Sequence, residues 1–249
     1  MIELKDISKT FNAGKPNEVK ALGKLSLEVK QGEFVVIVGS NGSGKTTLLN
    51  LVAGTIFSDT GTVTIDGNNA TKLPDYGRSK WIARIFQNPL SGTAADLSIL
   101  DNFRLAALRT QKKGLAIGKN ESFKQLVRDK IAALGMGLED KTEQPIGTLS
   151  GGQRQALTLL MSVMDECKIL LLDEPTAALD PRSAEKVMRI ADDLIKQYNL
   201  TAILVTHNLK DAANYGTSII QMGEGQIIKD IPSAEKAKLK QAELFEWFG

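Results

Sequence analysis

Phe34-Val35-Val36-Ile37-Val38-Gly39-Ser40-Asn41-Gly42-Ser43-Gly44-Lys45-Thr46 is the stretch on which the fold turns. Its apolar opening, Phe34–Val38, reads as a strand buried on both faces, as strands of a parallel sheet do. The next eight residues fit G-x-x-x-x-G-K-[ST] in full, and an apolar helical stretch, Thr47–Ala53, comes directly after. Glycines let backbone N–H groups turn toward anionic oxygens, and a helix N-terminus adds partial positive charge. The expected cradle for a nucleotide's phosphates is therefore Gly39, Ser40, Asn41, Gly42, Ser43, Gly44, Lys45, Thr46 and Thr47. In such a loop the Lys45 ammonium holds the β- and γ-phosphates, and the Thr46 hydroxyl ligates Mg²⁺.

A second apolar run, Ile169–Leu172, ends in Asp173-Glu174. Open α/β sheets bind ligands beyond the carboxyl ends of their strands, so this acid pair belongs beside the phosphate loop. Asp173 suits the Mg²⁺ side, and Glu174 suits the base that polarises an attacking water. Alone, an Asp-Glu pair after a strand is more often a solvated strand end; the complete loop tips the reading toward chemistry. Ala202–Val205 is a third run of the parallel type. Ile2–Ile7, Leu25–Val29 and Thr62–Ile65 alternate, and Asp66-Gly67-Asn68 is a turn signal, so an antiparallel β portion is expected near the N-terminus.

From about Pro89 to Met164 helical patterns take over. Ser98-Ile99-Leu100-Asp101 predicts a capped helix through about Leu108, and a second helix is predicted from about Glu121 to Leu134. Thr110 to Asn120, polar with lysine and glycine, reads as an exposed loop between them. The expected organisation is one α/β domain: residues 1–88 and 165–231 form the core with its β portion. Residues 89–164 form an inserted helical subdomain, and 232–249 a helical tail. Within the insertion, Leu149-Ser150-Gly151-Gly152-Gln153-Arg154-Gln155 precedes a helical stretch, Ala156 to Met164. Small residues at a helix start make a second potential anion site. One nucleotide needs one phosphate cradle, so a second in the same chain suggests that it serves a neighbour's nucleotide.

With these motifs in order, the chain resembles an ABC-transporter nucleotide-binding subunit from end to end. Leu149–Gln155 carries that family's LSGGQ signature, and Gln87 resembles its Q-loop glutamine, which contacts Mg²⁺ and faces the membrane partner. Ala178-Leu179-Asp180 resembles its D-loop, His207 its switch histidine near the γ-phosphate, and Phe11 its adenine-stacking aromatic. The resemblance implies a P-loop NTPase core, ATP and Mg²⁺ as ligands, and catalysis by Glu174, His207 and Gln87. Ser150, Gly151, Gly152, Gln153 and Asp180 would then meet the nucleotide of a second copy. Partners implied are integral membrane permease subunits and an extracytoplasmic solute-binding protein, with the chain peripheral on the cytoplasmic face. Phe86–Ala94 and Gln153–Met161 further resemble a bacterial importer subgroup often linked to uptake of aromatic amino acids. A soluble ABC ATPase serving metal–sulfur cluster assembly shares the same motifs and remains the alternative class. A DNA-repair or translation ATPase would carry a coiled-coil insertion or a duplicated domain, and neither is present in the sequence.

The bulk composition agrees. The 249 residues include 42% hydrophobic and 24% charged side chains, ordinary for a globular domain. A net charge of +2 gives no electrostatic reason to expect nucleic acid. The single cysteine, Cys167, excludes an internal disulfide and reads as a buried structural thiol. No apolar run approaches the ~20 residues that span a bilayer. Lys229, Lys236, Lys238 and Lys240 read as a solvated helix face, and Leu244, Phe245, Trp247 and Phe248 as apolar residues docking on their own chain.

Overall fold

The computed structural model describes residues 1–109, 118, 120–239 and 244. Among these residues ten strands form two sheets. β1 (Ile2–Phe11), β2 (Val19–Val29), β4 (Thr60–Ile65) and β5 (Asn68–Asn69) make an antiparallel sheet in the order β2-β1-β4-β5. β3 (Phe34–Val38), β6 (Ile82–Ile85), β7 (Ile169–Asp173), β8 (Thr201–Val205), β9 (Ser218–Gly223) and β10 (Gln226–Ile231) make the second, ordered β10-β9-β3-β8-β7-β6. Its pairs are parallel except β9–β10, a hairpin.

The continuous apolar runs have a structural reason. Along β3, Phe34, Val36 and Val38 enter one hydrophobic cluster while Val35 and Ile37 enter another. β7 and β8 divide in the same way, Leu170, Leu172, Ala202 and Leu204 to one face and Ile169, Leu171, Ile203 and Val205 to the other. One face carries α1 (Lys45–Ala53) and the antiparallel sheet. The other carries the insertion helices α3 (Ile99–Ala107), α4 (Glu121–Ala132) and α5 (Gly151–Ser162), with α6 (Pro181–Gln197) and α7 (Leu209–Asn214). Both faces are buried, so neither selects polar residues. α6 shows the complementary pattern: Val187, Met188, Ala191, Leu194 and Ile195 form its buried stripe, with Asp180 as N-cap and Pro181 in the first turn.

Between β6 and β7 only helices and 3₁₀ turns occur among the described residues, α3 opening on a Ser98 cap whose hydroxyl accepts from the Asp101 N–H. The expected Asp66-Gly67 turn joins β4 to β5, both residues lying at positive φ (52° and 75°), as a two-residue hairpin of type I′ requires. Several expectations need correction. β1 and β2 run longer than the alternation suggested, because bulges let the polar stretches beyond Ile7 and before Leu25 stay paired. α5 begins at Gly151, not Ala156: the Arg154 guanidinium folds back onto the carbonyls of Ile146, Gly147 and Leu149. Lys229 lies on β10, and Lys236, in the short α8 (Ser233–Lys236), donates to the carbonyls of Tyr215 and Gly216. Burial there pulls the Lys236 ammonium down to about 8. Leu244 is buried in the core cluster; Lys240, Phe245, Trp247 and Phe248, and the expected loop from Thr110 apart from Gly118 and Asn120, lie outside the described residues.

Arg78, in α2 (Asp75–Arg78), is almost fully buried with no acidic partner among the described residues. Its guanidinium donates to the carbonyls of Leu51, Val52, Ala70 and Leu73, and so satisfies the open C-terminal end of α1. Desolvation lowers it from the usual arginine range to about 10.

Candidate active site

The parallel register assembles the site. Ile37 pairs with Val205, Val205 with Asp173, and Ile85 with Leu172. Four neighbouring strands therefore end at one level, and the segments leaving them converge there: the glycine loop after β3, His207 after β8, Glu174 after β7 and Gln87 after β6. This is the carboxyl edge where open α/β sheets bind ligands.

The loop after β3 leads into α1 through Gly44, at φ 98° with no side-chain cap. A Cβ on Gly44 would stand 2.7 Å from the Ala21 carbonyl oxygen, so the loop admits no larger residue there. Lys45 is buried, and its ammonium bridges the loop's own carbonyls, 2.8 Å to Gly39 and 2.9 Å to Ser40. Burial lowers its pKa, opposed by the negative charges of Glu174 and Asp173. Thr46 and Gln87 are exposed at the same edge. Phe11 pairs with Val19 at the end of β1, two residues before the Ala21 that abuts Gly44. Its ring is 37% exposed, with the Lys9 ammonium 5.7 Å from its centroid, so it is a surface aromatic near the loop rather than core.

Glu174 adopts φ 45°, rare for a side-chain-bearing residue, held by its N–H to the Val205 carbonyl (2.9 Å) and its own carbonyl to the Ala177 N–H (3.1 Å). The turn aims its carboxylate at His207, whose Nδ1 lies 3.2 Å from Glu174 Oε2. An acid and an imidazole within hydrogen-bond reach beside a phosphate loop can accept a proton from water and orient a phosphoryl oxygen. Asp173 is mostly buried, and its Oδ2 accepts from Arg84 at 2.6 Å. Beyond Glu174, Thr176 donates to Asp211 at 3.5 Å, and burial raises the Asp211 carboxyl against that bond.

The Thr46 hydroxyl, the Gln87 amide oxygen and the Asp173 carboxylate are all hard oxygen donors, the set that Mg²⁺ takes. No group of three or more His, Cys, Asp or Glu among the described residues could hold a metal ion. An ion bound largely through phosphates needs no such cage, so the donor set fits Mg²⁺.

The signature residues stand elsewhere. Ser150 caps α5 and Gln153 completes a reciprocal capping box, 3.3 Å and 3.2 Å. A Cβ on Gly151 would meet Leu179, and one on Gly152 would meet Ser183, so this helix start packs on the segment around Asp180. The phosphate loop's neighbours are Ala21, Leu22, Met222 and Gly225. The two helix starts share none of them. Asp180 itself caps α6, accepting from the N–H groups of Arg182 and Ser183, and these bonds with the Ser183 side chain hold its carboxyl below the usual range. Cys167 is half-buried, its thiol pushed up by desolvation, which suits the structural role expected.

Two residues at the site carried no expected role. Gln155 is fully buried and its amide donates to the carbonyls of Phe86 and Pro175, 3.0 Å each, tying α5 to the residues beside Gln87 and Glu174. Arg84 sits between Ala83 and Ile85 in an apolar strand; a charge in such a place is the signal of a buried partner.

Fold and loop together define a P-loop nucleoside triphosphatase. The ABC transporter family profile matches residues 22–177, and a tyrosine transport ATP-binding protein of Clostridioides difficile is 37% identical over 100% of this chain and 98% of its own. EcfA2, an energy-coupling factor transporter ATP-binding protein of Ligilactobacillus salivarius, is 33% identical over 92% of this chain and 78% of that one. A dimeric post-hydrolysis state of the ATP-binding cassette MJ0796, bound to ADP and Pi, superposes with a TM-score of 0.80 at 28% identity, covering 94% of this chain and 99% of that one. The chain belongs to the ABC transporter family, as an ATP-binding subunit that hydrolyses ATP.

Proposed function

We propose that two copies of this chain close head to tail on two ATP molecules and drive an importer for a small solute through separate membrane subunits. One observation carries the dimer: a second helix start suited to phosphate, Ser150-Gly151-Gly152, whose neighbours differ from those of the phosphate loop. The loop Gly39–Thr46 binds the triphosphate of its own ATP, Lys45 turning from its carbonyl partners to the phosphates, and Phe11 stacks on adenine. Thr46, Asp173 and Gln87 would hold Mg²⁺, which would neutralise phosphate charge. Glu174 takes a proton from water as the water oxygen bonds to the γ-phosphorus and the bond to the ADP oxygen breaks. His207 holds the γ-phosphate edge, and the partner copy's signature start covers it from the other side.

The importer reading draws on the relative named for tyrosine transport, which matches over the full chain. An aromatic amino acid as cargo, an extracytoplasmic solute-binding protein and a peripheral place on the cytoplasmic face of the membrane complete it. No helix among the described residues is long and apolar enough to cross a membrane, so permease subunits supply the passage.

The dimer is tested with Glu174→Gln, which keeps shape but removes the base. On ATP it should migrate as a dimer in size exclusion, and adding Ser150→Arg should return it to a monomer that still binds ATP. A Glu174→Gln protein that stays monomeric with ATP, or a double variant that still dimerises, rejects the sandwich. Recovery of an integral membrane chain from detergent extract with the tagged protein tests the transporter assignment against a soluble assembly role.

A further inference from the structure

We infer that Arg84 is a positioning residue and counter-cation for Asp173, holding that carboxylate neutralised and oriented before ATP and Mg²⁺ arrive. The inference rests on the assignment of Asp173 to the metal side. Arg84 Nη2 donates to Asp173 Oδ2 at 2.6 Å, both side chains being only 12% exposed. Its Nη1 donates to Asn50 Oδ1 at 2.7 Å and reaches Thr55 Oγ1 at 3.4 Å. Its carbon Cζ stands 4.8 Å from the centre of the Phe86 ring, next to Gln87. The guanidinium is thus fixed between α1, β7 and the start of the Gln87 segment.

Asn50 and Thr46 are four residues apart on α1 and share a face. By joining Asn50 to Asp173, Arg84 sets the carboxylate against the face of the helix that carries the Thr46 hydroxyl. Among the described residues only Oδ2 is engaged, so Oδ1 remains available to a metal-bound water or the ion. The charge matters as much as the geometry. Asp173 and Glu174 are adjacent acids at the mouth of a site that must admit a polyanion. Lys45 is the loop's own cation, its ammonium bonded to the carbonyls of Gly39 and Ser40. Arg84 supplies a second positive charge, held 2.6 Å from the Asp173 carboxylate. A triphosphate without Mg²⁺ then meets one uncompensated acid rather than two. Removing the Arg84 charge therefore weakens binding of metal-free ATP far more than binding of Mg-ATP, because Mg²⁺ brings its own compensation.

The experiment compares ATP affinity in EDTA with affinity in saturating Mg²⁺ for the full chain. Arg84→Gln, Arg84→Lys, Asp173→Asn and the Arg84→Gln/Asp173→Asn double variant are titrated, with apo thermal unfolding alongside. At site distances one unit charge is worth about tenfold in affinity, so Arg84→Gln should raise the ratio of the EDTA to the Mg²⁺ dissociation constant about tenfold. Arg84→Lys should hold it within about twofold, and in the Asp173→Asn background the Gln substitution should change it little, as a double-mutant cycle requires. Equal losses with and without Mg²⁺, or an unchanged ratio in Arg84→Gln, overturn the inference. Asp173→Asn that leaves the Mg²⁺ dependence unaltered rejects the metal-side assignment instead. Should Arg84→Gln fail to fold while the double variant folds, the charge pairing is supported by that rescue; failure of both makes Arg84 a packing strut.

Discussion

α1 and α5 both start with glycine-rich segments and no acid in the first turn, yet they start differently. α1 enters from a left-handed glycine with no side-chain cap, leaving its first N–H groups for a ligand. α5 enters from an extended Ser150 whose capping box with Gln153 takes up the N–H groups of Ser150 and Gln153 but not those of Gly151 and Gly152. The first is a site that stands open in the single chain. The second is partly engaged already, its Ser150 hydroxyl and Gln153 amide being bonded to each other's backbone. In the proposed dimer, the difference would let the chain's own ATP bind at the open start while the partner's ATP meets the capped one.

Substitutions at and around the two helix starts put this contrast to the test. Glu174→Gln should lower turnover by roughly 10²–10⁴ while ATP still binds at α1, separating occupancy from chemistry in a phosphate-release assay. Near-normal turnover removes Glu174 from the base role. Phe11→Ala should weaken ATP binding roughly five- to 150-fold, from about 1–3 kcal/mol of stacking, with the apo melting temperature unchanged because the ring is surface-lying. A fall in apo stability without a fall in affinity would return Phe11 to structure.

The glycines come next. Gly44→Ala should cost about 1–3 kcal/mol of stability, since its φ of 98° and the nearby Ala21 carbonyl both oppose a Cβ. Gly151→Ala should stay within about 0.5 kcal/mol, because its Cβ would meet only the movable end of Leu179 at 3.1 Å. Thermal unfolding of the pair reads the contrast, and equal losses would erase it. Ser150→Ala should cost about 1 kcal/mol as a lost N-cap, with monomer ATP affinity intact. Weaker ATP binding by that monomer would merge the two helix starts into one site.

Legibility in the sequence divides along the same line. Strands β3, β7 and β8 stood out because both faces of each are buried, and their register then carried the expected side chains to one edge. The glycine loop and the Ser150 segment were legible because their chemistry is local to the motif. Arg78, Arg84 and Gln155 were not, since their partners are carbonyls or a carboxylate brought from elsewhere in the chain. β9 and β10 escaped for a related reason: Gln221 and Gly223 interrupt an otherwise apolar run, and the hairpin's worth lies in what it touches. The true start of α5 was hidden by Arg154, a polar residue folded back under its own helix.

That hairpin touches the phosphate loop. The Gly225 N–H donates to the Ser43 carbonyl (3.1 Å) and its carbonyl accepts from Gly23 (3.1 Å), while Met222 closes over Gly39. β3 itself lies between β8 and β9, both made long after it. On a ribosome the emerging chain thus carries the phosphate motif with its Ala21–Leu22 wall but without Met222, Gly225 or the strands that flank β3. Contacts this distant in sequence close late and slowly. The loop is therefore walled on all sides only once the hairpin is made, and until then β3 is an apolar strand without its neighbours.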